Sequence, residues 1–373
     1  MSSVAKRPDG QWRARYRDAA GKEHARHFGR KADAQRWLDG VTSSVVTGSY
    51  VDPKASRVLV GDWSTTWLAG KANLQPSTRD RYAGVLNNQV LPRWRNVRLA
   101  EVSHSDVQAW IAELGASGLA AASVQKAHRV LSMVLSTAVK DGRMPRNPAV
   151  GVDLPKIARS EKRYLTHDQV ADFANEAGRG RLIVLVLAYT GLRWGELAAL
   201  RVGRVDLLRR RIHVAEAVTE VNGGRLHFDL PKDHERRWVP VPRFLVDDLA
   251  EHLAGRPEDA FVFPSSTGGP TRVNSARRAW FDSAAVAAGV PGLTPHELRH
   301  TAASLAVSAG ANVKAVQRML GHAKASMTLD VYADLFDDDL EAVADRLDLL
   351  KRAADQVRTE GRVVALHGSA PGR

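Results

Sequence analysis

Thr294-Pro295-His296-Glu297-Leu298-Arg299-His300 opens a helix and loads its first turns with cationic and imidazole groups. Proline suits a helix's first turn, because its fixed φ matches the helix and its missing N–H costs nothing there. His296 and Arg299, three residues apart, then share a face with His300. A His-x-x-x-His spacing also raises the possibility of a metal pair. No neighbouring carboxylate or thiol completes a convincing ligand set, and the surrounding arginines repel a dication, so no metal is expected.

Three further places, upstream and downstream, concentrate charge beside breaks in structure. In Thr190-Gly191-Leu192-Arg193-Trp194-Gly195-Glu196-Leu197, Arg193 stands just past a helix-ending glycine, and Glu196 lies one turn on, able to orient a neighbour. In Leu230-Pro231-Lys232-Asp233-His234-Glu235-Arg236-Arg237, a charged turn between strands, Lys232 is placed to protonate a leaving oxygen if nearby cations lower its pKa. Leu320-Gly321-His322 ends another helix, and Tyr332 follows ten residues after the histidine. Each place read singly also fits an ordinary surface ion pair, a solvated turn or a packed aromatic.

Taken together, and in this order, Arg193, Lys232, His296, Arg299, His322 and Tyr332 resemble the signature of the tyrosine recombinase (phage integrase) family. The resemblance runs over the whole chain and implies a multidomain α+β protein. Residues 1–55 look like an arm-type DNA-binding domain, a small β-sheet and helix. Residues 56–152 look like an all-helical core-binding domain. Residues 163–373 look like a mainly helical catalytic domain with a small antiparallel sheet and a C-terminal docking tail. The resemblance further implies that Tyr332 attacks the scissile phosphate, that Arg193 and Arg299 bind its non-bridging oxygens, and that Lys232 protonates the leaving 5′-oxygen. His296 would assist proton removal from Tyr332 and His322 would hydrogen-bond the phosphate, with Glu196 and His300 in support. No cofactor is implied. The partners implied are double-stranded DNA at core-type and arm-type attachment sites, three further copies of the chain in a homotetramer, and a host DNA-bending factor with an excisionase. The alternatives are a chromosome-dimer-resolving or transposon recombinase with the same catalytic domain, or a non-catalytic DNA-binding regulator.

The residues outside these motifs agree with that organisation. The chain of 373 residues has a formal net charge of +13, largely from arginine, whose planar fork matches phosphate oxygens. Trp12, Ala14 and Tyr16 alternate with Arg13, Arg15 and Arg17, which predicts a strand with one apolar and one cationic face. A second strand over Glu23 to Phe28 adds Arg26, and Lys31 to Val46 reads as a helix. A basic ribbon of this kind can enter the major groove, so these four arginines are the candidate arm-site contacts. Helix-spaced apolar residues then run over Val60 to Leu68, Ser77 to Asn88, Ser105 to Leu114 and Ala121 to Asp141, with Ser77, Ser105 and Ser123 as N-cap or first-turn residues.

Beyond a basic linker at Pro155 to Lys162, strands are expected over Ile212 to Val221, Arg225 to Leu230 and Arg237 to Val241, with a hairpin turn at Asn222-Gly223-Gly224. Leu340, Val343, Leu347 and Leu350 form an apolar stripe in the tail, after the acidic run Asp337-Asp338-Asp339. Cysteine is absent, which excludes disulfides and thiolate chemistry. The first ten residues lack the apolar core of a signal peptide, and the longest apolar run, Leu182 to Tyr189, is too short to span a bilayer. A soluble protein of the bacterial cytoplasm, with no membrane partner, is the expectation.

Overall fold

The computed structural model describes residues 2–17, 21–46, 51, 55–158, 163–221, 224–231, 236–332, 344–345, 347–352 and 355. The chain divides into two compact units, residues 1–159 and 160–373.

The first unit begins with a three-stranded antiparallel sheet, β1 (Ser3–Lys6), β2 (Trp12–Arg17) and β3 (Glu23–Phe28), in that spatial order, followed by α1 (Lys31–Val46). Alternation decides its layout: Ala14 and Tyr16 are buried with Ala34 and Leu38 of α1, so Arg13, Arg15 and Arg17 are left on the open face. β1 was not anticipated, since four residues with no buried member carry little periodic signal.

A helical bundle follows, made of α2 (Val60–Ala69), α3 (Pro76–Val85), α4 (Leu91–Trp94), α5 (His104–Ala116) and α6 (Ala121–Lys140). Its centre is α6, whose Val124, Ala127, Val130, Leu131, Val134, Leu135 and Ala138 recur at three- and four-residue spacing and are all buried. Trp63 of α2 donates its indole N–H to the Val134 carbonyl at 3.0 Å. The run expected to be one helix from Ser77 to Asn88 passes through a π-helical turn at Leu86–Val90. The N-cap of α5 is Ser103, whose hydroxyl accepts the Asp106 N–H, and Ser105 occupies the first turn.

The second unit packs around α8 (Arg181–Thr190), which is buried continuously from Ile183 to Ala188 and flanked by α7 (His167–Glu176) and α13 (Pro295–Ser308). α9 (Trp194–Ala199) leads to a three-stranded antiparallel sheet of β4 (Val205–Asp206), β5 (Arg211–Val214) and β8 (Arg237–Pro240). A separate ribbon pairs β6 (Ala217–Val221) with β7 (Arg225–Asp229). The expected strand from Ile212 to Val221 is therefore two strands in two sheets, divided at Ala215–Glu216. Asn222 and Gly223 of the anticipated turn lie outside the described residues.

α10 (Val246–Leu253), α11 (Val273–Ala276) and α12 (Asp282–Ala287) complete the outer layer. α14 (Val313–Leu320) and α15 (Ala325–Tyr332) close over α13, with Ala303, Val307, Val316, Leu320 and Tyr332 in one apolar cluster. In the tail, Leu347 and Leu350 are helical and exposed, while Leu340, Val343 and Asp337 to Asp339 lie outside the described residues. Among the described residues, no helix is long and apolar enough to cross a membrane.

Candidate active site

Two helix ends and one helix start meet at the site. α8 ends at Gly191 and α14 at Gly321, both left-handed, with φ of 66° and 65°. Between them, α13 starts at Pro295 with a Thr294–Glu297 capping box. Arg299, one turn into α13, is buried and donates to the Gly191 carbonyl and to the Leu320 carbonyl, both at 2.6 Å. It thereby ties the C-terminal ends of α8 and α14 together through charge-assisted hydrogen bonds. Burial, followed by the nearby charge of Arg193, lowers the Arg299 guanidinium to about 9, so it stays protonated at neutral pH.

Arg193 stands at the N-cap of α9, and Glu196 reaches back to it: one carboxylate oxygen accepts the Arg193 backbone N–H at 2.9 Å and the other accepts Nη1 at 3.0 Å. The Glu196 carboxylate is fully buried and also accepts two bonds from Arg237, at 2.9 and 2.6 Å. Burial alone would raise the Glu196 pKa; the hydrogen bond and charge of Arg237, with the charge of Arg193, outweigh it and hold the group below the ordinary carboxylate value. Arg237 also donates from Nε to the Met319 carbonyl at 3.1 Å.

Arg193, Arg237, Lys314, Arg318, Gly321 and His322 line a cavity of about 400 Å³. Among the described residues its charged lining is entirely cationic. Pro231 lines it too, whereas Lys232, the next residue, lies outside the described residues. The His322 ring is held by Thr328, whose hydroxyl lies 2.9 Å from Nδ1.

Tyr332 occupies a different position, in the apolar cluster beside α13 and α14, and is only 1% exposed. Its hydroxyl lies 2.7 Å from Nδ1 of His300. Burial, partly opposed by the Arg299 charge, raises the phenol to about 12. The sequence expectation had His296 assist proton removal from Tyr332; the phenol's 2.7 Å contact in the structure is to His300, one turn further along the same face of α13. His296 sits against His300, ring centres 4.8 Å apart and edge-on. Arg193, Glu196, Arg299 and His322 are thus brought together, with Tyr332, His300 and His296 as an adjoining group.

Arg237 is the member that sequence reasoning missed, although a signal was present. It stands two residues before the buried Val239 on β8 and so shares its inward face, where a cation requires a partner. Among the described residues no group of three or more His, Cys, Asp or Glu is placed to hold a metal ion.

In the first unit, Arg13, Arg15 and Arg17 do share one face, where Glu23 lies within 4.0 Å of each. Arg26 does not join them. It pairs in register with Ala14, which puts it on the helix side of the sheet, beside the Phe28 ring.

Residues 163–338 match the model described as the phage integrase family, and residues 59–115 match the phage integrase N-terminal SAM-like domain. Among curated relatives, the putative prophage phiRv2 integrase of Mycobacterium tuberculosis is 28% identical over 340 residues, covering 86% of this chain and 88% of the relative. The tyrosine recombinase XerC of Corynebacterium efficiens is 30% identical over 243 residues, 62% of this chain and 73% of the relative. Among solved structures, a lambda integrase tetramer bound to a Holliday junction matches with a TM-score of 0.54 at 19% identity, covering 88% of this chain and 94% of that one.

The chain belongs to the phage integrase family of tyrosine recombinases. It is an enzyme of site-specific recombination, cutting and rejoining DNA strands.

Proposed function

We propose that this recombinase works through Tyr332, which attacks the scissile phosphate to give a 3′-phosphotyrosine and a free 5′-hydroxyl. The new P–O bond replaces the old one, so the ester energy is conserved and religation to a partner strand needs no nucleotide. The observation that carries the reading is the set of cations around Glu196: Arg193 and Arg237 share one buried carboxylate and buried Arg299 bonds the neighbouring Leu320 carbonyl, which leaves positive charge for a phosphate to compensate. Arg193 lines the cavity and is the direct ligand of a non-bridging oxygen. Arg299 adds its charge from beneath and, by resemblance, contacts the same oxygens. His322 donates to the phosphate. Lys232 protonates the leaving 5′-oxygen, a role supported by its neighbour Pro231 on the cavity wall. His300, in the tautomer protonated at Nε2, accepts the phenol proton, with His296 packed against it.

The substrate is double-stranded DNA. The arginine face of β2 fits arm-type sites, and the helical bundle with the catalytic unit fits core-type sites. A tetramer is the working assembly, supported by the lambda integrase tetramer's fold match. A host DNA-bending factor and an excisionase would set direction, in the cytoplasm of a bacterial host. Integration of a phage or other mobile element is preferred to chromosome-dimer resolution because the prophage relative covers 86% of this chain against 62% and 75% for two XerC relatives.

The test is covalent trapping. Purified protein is incubated with nicked duplexes tiled across the DNA that flanks its gene, and the adduct is mapped by peptide mass spectrometry. The expected adduct is on Tyr332 at a 3′-phosphate, and Tyr332→Phe yields none. An adduct that persists in that variant overturns the assignment.

A further inference from the structure

Arg237 belongs to none of the roles assigned above, yet it is among the most constrained side chains in the site. It is 9% exposed and faces a carboxylate that is 0% exposed. Such a pair is a poor source of stability, since desolvating two charges offsets most of their attraction and apolar residues of similar volume often do as well. Neutralising Glu196 does not require it either, because Arg193 already supplies a guanidinium at 3.0 Å.

The contribution of Arg237 is geometric. Its fork engages both oxygens of Glu196, so the carboxylate that orients Arg193 cannot rotate. Its Nε–H is bonded to the Met319 carbonyl in the last turn of α14, and its Cδ, Nε and Cζ lie so close to Gly321 that a Cβ there would stand 2.9 to 3.0 Å from them. One side chain therefore sets both Arg193 and the turn that carries His322. Arg193 in turn approaches the Gly321 carbonyl at 3.4 Å from Nη2, which closes the frame.

We propose that Arg237 is a positioning residue of the strand-cleavage step: through Glu196 and the Leu320–His322 turn it holds Arg193 and His322 in one frame around the scissile phosphate. The proposal rests on the reading of the site given above. A shift of about 1 Å in such a frame costs on the order of 100-fold in rate without weakening the rest of the DNA contact.

The experiment compares full-length wild type, Arg237→Lys, Arg193→Lys, the double variant and Glu196→Gln. The probes are a nicked duplex on which the wild type forms adduct and the intact duplex of the same sequence. Thermal midpoint, affinity for the intact duplex and the single-turnover cleavage constant at saturating protein are measured for each. Lysine keeps the charge but cannot span both carboxylate oxygens. The expected result for Arg237→Lys is an affinity within about threefold of wild type with cleavage slowed about 100-fold, and Glu196→Gln shows the same split. The double variant should be little slower than Arg193→Lys alone, because both changes disturb one unit.

Cleavage by Arg237→Lys within about threefold of wild type, or fully additive losses in the double variant, would overturn the proposal. So would unfolding, or affinity lost in step with rate, in both Arg237→Lys and Glu196→Gln. A wild-type adduct on a residue other than Tyr332 would instead overturn the nucleophile assignment. The two failures are read from different measurements, one from peptide mapping and the other from rate against affinity.

Discussion

Tyr332 is a phenol whose surroundings oppose its ionisation. Burial beside Ala303, Val307 and Leu320 raises it to about 12 from the ordinary value near 10, and its hydroxyl is engaged by His300. Between those two values the unfolded chain has lost the proton that the folded chain keeps. The contribution of Tyr332 to stability is therefore fully present below pH 10 and declines as pH rises toward 12. Of the six tyrosines, Tyr332 should ionise late in a titration followed by phenolate absorbance, and Tyr332→Phe should remove that late step. Tyr189, also raised by burial and by Asp168, remains as an internal reference. The same substitution should flatten the fall in stability above pH 10, measured by denaturant unfolding. A late step that survives in the variant would show that the phenol is not held in this environment. Legibility at this scale was uneven. Arg193, Arg299 and His322 stood out as charge beside helix ends, and only their joint order, through its resemblance to a family signature, singled them out. The Tyr332–His300 contact could not be named, because it joins positions 32 apart through the closure of α15 over α13.

Elements were legible wherever burial imposes a period. The stripe from Val124 to Ala138 marks α6, the continuous apolar run marks α8, and Pro295 marks the start of α13. Reading failed where geometry depends on what a residue meets across space. The π-helical turn at Leu86–Val90 inserts a local register change that no period announces. The split between β5 and β6 puts one apolar run into two sheets, a choice made by their partners β8 and β7. The seat of α9 on β6 shows how tight such partner choices are: a Cβ at Gly195 would stand 2.5 Å from the Val218 carbonyl oxygen. Gly195→Ala must push the helix off the ribbon, at a cost of about 1–3 kcal/mol. Thermal unfolding should register that loss. Because Glu196 is the next residue, strand cleavage should fall in the same variant. A midpoint equal to wild type would mean that α9 has room the structure does not show.

For the whole molecule, the formal charge of +13 predicts that affinity for DNA is dominated by release of counterions. A plot of log affinity against log salt should be steep, with each phosphate neutralised adding about 0.9 to the slope. Removal of residues 1–55 takes away the Arg13, Arg15 and Arg17 face. It should reduce that slope by about two to three on DNA containing arm-type sites and leave it nearly unchanged on isolated core-type sites. An equal reduction on both would argue that the small sheet binds without regard to site.

Gly321 has a consequence for how this protein can change over generations. Its backbone, at φ 65°, strains any side chain on one ground, and the Arg237 guanidinium pressed against it crowds a Cβ on a second. Shortening Arg237 would lift the second restriction and leave the first. No single compensating substitution reopens the position. In a mutagenised library selected for recombination, codon 321 should stay fixed while the exposed positions 324 and 325 drift, and any exception should carry changes at several sites at once.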